Sequence, residues 1–249
     1  MFFAKPGEYE ATGLYSIGHL TLLLITIIGV VIFTIKTKEK DHKQVKKTIQ
    51  IITIFIWTLE IIKIIFNLAI GNKKSVNNYI PLYFCSMNLY AGILSGFCKG
   101  KLKHMGDVFI ATGGLIAGIV FILCPNTSLS IYPAFHYISI QSFIYHGTMI
   151  YLGILLNITG YVKVESKDIL YYAGFVLVIE LIALGFNSIF DSNLMFISKD
   201  YPDTPIHLLY KMTGVLFTPF VIIAQATIPF YITYWGIKKR EKRDLVYEY

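Results

Sequence analysis

Long apolar runs separated by short polar connections set the pattern of this chain. Seven such runs, at about residues 14–35, 48–70, 81–98, 106–124, 138–159, 169–190 and 207–235, are each long enough to cross a hydrocarbon layer as a helix. The pattern predicts an all-α polytopic membrane protein of seven transmembrane helices, forming a single domain over residues 1–249. Pro81 opens the third run, where a first-turn proline costs no intrahelical bond. The fourth run carries Ala111, Gly113, Gly114, Ala117 and Gly118, small residues that allow close approach of a neighbouring helix. Pro219 and Pro229 predict a bent last span. The first run follows Lys5, Glu8 and Glu10 rather than a basic leader, so it reads as a span and not a signal peptide.

Composition agrees with a membrane location. Mean hydropathy is +0.61, with 55% hydrophobic and 15% charged residues, too apolar to cover a soluble surface. The net charge of +7 lies in short blocks between apolar runs rather than in a basic groove, which argues against a nucleic-acid partner. Connections 36–47, 99–105 and 160–168 and the C-terminal tail hold sixteen Lys and Arg, against four in the N-terminal tail and the other three connections. This bias predicts an outside N-terminus, a cytoplasmic C-terminus and a multi-pass protein of the cell membrane. Cys85, Cys98 and Cys124 are widely spaced, with neither a disulfide framework nor a thiolate metal motif. No cofactor signature is present, and no close-spaced motif of the HExxH kind marks a metal site.

Polar residues inside the spans carry the candidate chemistry, because an ionisable group in hydrocarbon is costly without a partner or a polar cavity. Leu170 to Asn193 begins as an apolar helix, holds Glu180 at its middle and ends in Asn187, Asp191 and Asn193. At about 1.5 Å per helical residue, Glu60, Glu180 and His146 lie roughly 12–15 Å from the outer ends of their spans. Lys63 and Asn88 lie about 10 Å down and Cys85 about 6 Å down on the same rule. Glu60 with Lys63, and Cys85 with Asn88, are three apart and share helix faces. Glu60 and Lys63 read first as a structural ion pair and second as a proton acceptor or an anchor for a polar headgroup. His146 reads as a helix-to-helix hydrogen bond or as a base, with Gly147 opening space beside its ring. Glu180 has no basic residue within a turn, so it either finds a partner elsewhere, with His146 and Lys63 the candidates, or is protonated. His136 and His207 near the outer surface read as headgroup contacts or plain interface residues.

A series of short motifs resembles the YwaF family of integral membrane proteins. They are Trp57 with Glu60, PLYFCSMN from Pro81 to Asn88, the glycine-rich GGLIAGIVFILCPN, YPAFHY, FIYHG from Phe143 to Gly147, and Asn187 with Asp191 to Leu194 followed by Pro202 or Pro205. The resemblance spans roughly Trp57 to Met212, with Tyr83, Leu194 and Phe196 departing from the family pattern. It implies kinship with the animal acyltransferase of ether phospholipids and with hydrolases of fatty-acid esters of hydroxy fatty acids. It also implies Cys85 as nucleophile and His146 as base, with Asn187 and Asn193 shaping the pocket.

The expected function is therefore a lipid acyltransferase or lipid ester hydrolase. Cys85, His146 and Glu180 would be catalytic, and Glu60, Lys63, Asn88, His136, Asn187, Asn193 and His207 would contact a membrane lipid substrate. The alternative is a transporter or a small-ligand or lipid-binding protein using the same pocket. A retinal pigment is disfavoured, because Lys211 stands at the start of the last span. Oligomeric state is not legible in the sequence.

Overall fold

A computed structural model describes residues 1–70, 76–202 and 204–247, with the side chains of Asn77, Pro205 and residues 242–247 excepted. The GNKKS part of the second connection and Asp203 lie outside the described residues. The structure is all helical: α1 Ile17–Thr37, α2 His42–Ala69, α3 Met87–Phe97, α4 Gly100–Phe109, α5 Leu115–Leu123, α6 Tyr137–Ile158, α7 Ile169–Phe190, α8 Pro205–Thr213 and α9 Phe217–Tyr247. Six helical stretches among the described residues are long and apolar enough to cross a membrane, so the chain is a multi-pass membrane protein.

The stretch expected as a third span at 81–98 is not one of the six. Its helix covers only Met87–Phe97, because residues 81–86 form turns and bends instead of a first helical turn on Pro81. The fourth span begins earlier than expected, and α4 and α5 are joined by a single wide turn of π-helix at Ile110–Gly114. Side chains of other helices donate to carbonyls of this turn: Asn157 Nδ2 to Ala111 O at 2.9 Å and Thr233 Oγ1 to Thr112 O at 3.3 Å. The last span does break, but before Pro219. Gly214 ends α8 with φ +52°, whereas Pro219 stands in the first turn of α9, where no N–H is missed.

Helix α6 is the most buried and packs against α1, α2 and α5, while α4 packs on α3 and α7, and α7 on α9. The main apolar core joins α4 and the π turn to α7 and α9 through Phe109, Tyr172, Phe175 and Phe230. Most of α1 (Leu24, Ile28 and Ile35 among others) and the outer faces of α2 and α7 expose apolar side chains, as a lipid-facing wall does. The connections gather at two ends. His42, Lys103 and Tyr161 meet at one, with Lys103 Nζ 4.3 Å from the Tyr161 ring and the His42 ring 5.3 Å from it. At the other, Tyr137 N donates to Phe2 O at 2.9 Å, and the His136 ring packs 5.6 Å from Phe66.

Helix ends are closed locally. Asp41 and Gln44 form a capping box on α2, and Ser16 caps α1. Between α7 and α8 the backbone turns back into the bundle, burying Leu194, Met195 and Ile197 completely. Met195 (φ 59°) and Phe196 (φ 55°) are held in the left-handed region there. Four bonds pin this hairpin: Met195 N to Leu82 O (3.1 Å), Gln225 Nε2 to Met195 O (2.9 Å), Thr218 Oγ1 to Ile197 O (2.7 Å) and Asn187 Nδ2 to Leu194 O (3.1 Å).

The close approach of α3 and α4 depends on Gly106, where a Cβ would lie 2.5 Å from Ala91 O and 2.6 Å from Ser95 N, both backbone atoms that cannot turn aside. Gly106→Ala is expected to cost about 1–3 kcal/mol by overpacking. Gly174→Ala on α7, with open space around the new Cβ, is expected to be neutral or to gain about 0.5–1 kcal/mol from helix propensity. Thermal unfolding of the two variants in detergent measures the difference.

Candidate functional site

Buried polar side chains form two sets in the bundle, one around α2, α3 and α6 and one around the π turn, α7 and α9. The first joins α2, the start of α3 and α6. Trp57 Nε1 donates to Leu89 O (3.2 Å), Tyr145 OH to Cys85 O (3.0 Å), Tyr137 OH to Leu59 O (2.8 Å) and Tyr90 OH to Pro81 O (3.2 Å). Aromatic side chains thus spend their hydroxyls and indole N–H on backbone carbonyls and weld three helices together. Within this frame Glu60 is buried and forms an ion pair with Lys63, which is partly exposed. Cys85 is a half-buried free thiol among Ile56, Leu89, Tyr145 and Met149.

His146 has a defined tautomer. Its Nδ1 lies 2.7 Å from Ser142 O, and a carbonyl only accepts, so the proton sits on Nδ1 and Nε2 carries a bare lone pair. The ring stacks on Phe121 at 3.6 Å and 7° and meets Tyr145 edge-on. Nε2 is buried without a hydrogen-bond partner. No hydrogen bond joins Cys85 to His146 among the described residues. Gly147 does not open space for the histidine as expected: a Cβ there would meet Thr26 at 2.9 Å, so the glycine admits α1.

The second set lies around the π turn, α7 and α9. Asn88 is fully buried, and neither its Nδ2 nor its Oδ1 has a partner. A Cβ on Gly114 would come within 3.0 Å of Asn88 Oδ1, so the glycine of the π turn makes room for the amide. Tyr172 OH, beside Gly113, donates to Gln225 O at 3.0 Å. The Gln225 side chain reaches up to Met195 O, and its own Oε1 is buried and unpaired. Glu180 shares the inward face of α7 with Tyr172, Val176, Ala183 and Asn187, and both its carboxyl oxygens are buried without a partner. The expected partners of Glu180 are elsewhere. Lys63 is held by Glu60, and His146 projects from α6, which packs on α1, α2 and α5, whereas α7 packs on α4 and α9. An uncompensated carboxylate in hydrocarbon is far costlier than a neutral acid.

Four expected substrate contacts are engaged in the protein's own structure. Asn187 Oδ1 accepts from Ser192 Oγ and Leu194 N, both at 2.7 Å, and its Nδ2 also donates to Ser198 Oγ. Asn193 Oδ1 accepts from Ser198 N and Lys199 N. His207 pairs with Asp200 at 2.7 Å. His136 caps α6, accepting from Ile138 N at Nδ1 (3.1 Å) and donating from Nε2 to Ala4 O (3.1 Å). No group of three His, Cys, Asp or Glu side chains among the described residues converges to hold a metal ion. Sequence reasoning passed over Gln225, whose signal was a lone amide in an otherwise apolar stretch of the last span.

The two hydrogen bonds of His136 need a neutral ring, and burial holds its pKa below the ordinary histidine value. The unfolded chain then takes up this proton first as pH falls. The contribution is complete above about pH 6.5 and is lost as pH drops from there towards the lowered folded pKa. Unfolding midpoints of the wild-type protein should fall between pH 7.5 and 5, and the part of that fall due to this residue should vanish in His136→Asn.

A sequence model of one protein family, TMEM164, matches residues 14–237, and the chain belongs to that family. No curated protein and no solved structure matches it. The family assignment overturns the identification as a YwaF-type protein, which rested on short scattered motifs where the TMEM164 match runs along almost the whole chain. The support that this resemblance lent to an acyltransferase or hydrolase activity falls with it.

Proposed function

We propose that this member of the TMEM164 family holds a membrane lipid, or a small polar ligand of the bilayer, in its interior. The observation that carries the reading is that both amide atoms of Asn88, Nε2 of His146 and both oxygens of Glu180 are among the buried polar atoms without partners. An unmet buried polar group costs about 1–3 kcal/mol, and native structures seldom leave several unless water, an ion or a ligand completes them. Half-buried Cys85 and partly exposed Lys63 open the first site towards the bilayer. In this reading Lys63 and Glu60 meet the headgroup, and the orphaned atoms meet its ester and hydroxyl groups.

The proposed topology is seven passes, with α3 as a short third pass, an outside N-terminus and a cytoplasmic C-terminus. The basic connections at 36–47, 99–105 and 160–168 support it, since His42, Lys103 and Tyr161 meet at one end. The N-terminal tail packs at the other end, beside Phe66 and His136.

Apolar replacements separate a ligand site from idle buried polarity. Asn88→Leu, His146→Phe and Glu180→Leu are each expected to leave the ligand-free protein as stable or more so, since an orphan is removed. The same variants are expected to lose, several-fold, the lipid that co-purifies with the wild-type protein, as read by mass spectrometry of extracts. An unchanged lipid complement in all three removes the proposal.

A second reading is favoured by the bare Nε2 of His146, which carries a lone pair able to accept a proton. Here His146 takes the Cys85 proton, the thiolate attacks a lipid ester carbonyl to form a thioester, and the proton passes to the departing alkoxide. The step requires Cys85 or His146 to swing into hydrogen-bond reach of the other. Incubation with phospholipid esters should then give products with wild-type protein and a loss of about 100-fold or more in Cys85→Ala and His146→Ala. Equal conversion by both variants excludes this chemistry.

A further inference from the structure

Ahead of α1 the chain runs back over the end of the bundle where α2 finishes and α6 begins, and it is fastened there along its length. Phe2 O accepts from Tyr137 N (2.9 Å) and Ala4 O from His136 Nε2 (3.1 Å). Further on, Thr12 N donates to Tyr132 O (3.3 Å), Gly13 N to Leu129 O (2.8 Å), and Thr12 Oγ1 accepts from Ala134 N (2.5 Å). Tyr137 N is the first amide of α6 and has no acceptor within that helix, so the segment also caps it. The Phe3 ring rests on Phe66 (5.8 Å) and Tyr137 (5.3 Å), with the Phe2 ring 6.0 Å from Tyr137. Ala4, Phe66, His136 and Tyr137 are all buried. We propose that this N-terminal segment is a strap that shuts the first site to water, so that its ligand is an amphiphile entering sideways from the bilayer past Lys63.

The order of residues along α2 and α6 places the strap in the way of water. Phe66 stands one turn of α2, about 4.5 Å, outward of Lys63. Tyr137 stands two turns of α6 outward of Tyr145, whose hydroxyl donates to Cys85 O. The Tyr137 hydroxyl itself reaches Leu59 O, next to Glu60. A molecule descending from water between α2 and α6 therefore meets Phe3, Phe66 and Tyr137 before it meets Lys63, Glu60 or Cys85. The carbonyls of Phe2 and Ala4 are already spent on α6 and its cap, so the seal presents rings rather than hydrogen-bonding groups. The flank of α2 differs. Lys63 keeps 26% of its side chain exposed. It stands among Ile61, Ile62 and Ile65, which belong to the lipid-facing wall. An amphiphile there meets the Lys63–Glu60 pair with its polar part while its chain stays in hydrocarbon. This entry route rests on the first site being a ligand chamber, but the strap itself is read through access to Cys85 alone.

Thiol labelling of the full chain in lipid nanodiscs tests the proposal, in a Cys98→Ser/Cys124→Ser background that leaves Cys85 as the one cysteine. Two probes are compared, each rate divided by that of the same probe with glutathione. One is the anionic, water-confined sulfonatoethyl methanethiosulfonate; the other is N-phenylmaleimide, which partitions into lipid. On this scale N-phenylmaleimide should label Cys85 at least about 10-fold faster, since the charged probe cannot cross hydrocarbon. Phe2→Ala/Phe3→Ala should raise the methanethiosulfonate rate about 10-fold by populating the open strap, and should move the N-phenylmaleimide rate by less than about 2-fold. Phe3→Ala alone, at a half-exposed residue, carries the test if the pair fails to fold. Tyr9→Ala, exposed in the same tail, should change neither rate. The proposal is overturned if the methanethiosulfonate labels the starting protein as readily as N-phenylmaleimide does. It is equally overturned if the phenylalanine variants move neither rate, or raise both alike, which would mean a loosened bundle. The lipid complement of the Asn88, His146 and Glu180 variants is a separate measurement, so the strap and the interior ligand fail independently.

Discussion

In a hydrocarbon surround no water completes a hydrogen bond, and every irregular feature of this bundle is arranged around that constraint. Carbonyls of the π turn at Ile110–Gly114 lie in an apolar core, and Asn157 and Thr233 reach from other helices to donate to two of them. The hairpin between α7 and α8 turns back into the bundle with two residues in the left-handed region, and it survives because Leu82, Gln225, Thr218 and Asn187 meet its backbone. Tyr137, Tyr145 and Trp57 do the same work between α2, α3 and α6. Polar side chains that a soluble protein would expose become cross-braces here, at about 0.5–1.5 kcal/mol net for each bond and more if one partner is lost.

Against that background the unpaired atoms stand out. A bundle that closes nearly every backbone irregularity leaves Asn88, Glu180, His146 Nε2 and Gln225 Oε1 open. Asn88 lies against the π turn, Gln225 joins Tyr172 to the hairpin, and His146 stacks on Phe121 of α5. The glycines that admit Asn88 and Tyr172 belong to the π turn, so the second set exists only because the helix is locally wide there. Local widening of this kind recurs where helices make room for a ligand. The strained hairpin at Met195 and Phe196 stands above the same space and joins it to the start of α3.

Hydropathy and charge were enough to read the membrane class, the long helices and the grouping of basic connections at one end, because burial in lipid acts on composition along each helix. The short α3 and the break at Gly214 were not legible. Pro81 and Pro219 are both tolerated in a first helical turn, and what decides is whether the neighbouring backbone takes up the freed groups, as Met195 N does for Leu82 O.

For the candidate site, depth counting picked out Glu60, Lys63, Asn88, His146 and Glu180 as inward-facing, since a polar side chain in a span turns away from lipid wherever its own helix lies. Which of them meet was a different matter. The pairing of Glu60 with Lys63 was legible, being three residues apart on one helix. The separation of Glu180 from His146, and the use of Asn187, Asn193, His136 and His207 as struts and caps, depend on which helices are neighbours. Periodicity along one helix carries no information about the azimuth of another, so only the packed tertiary structure decided those partners.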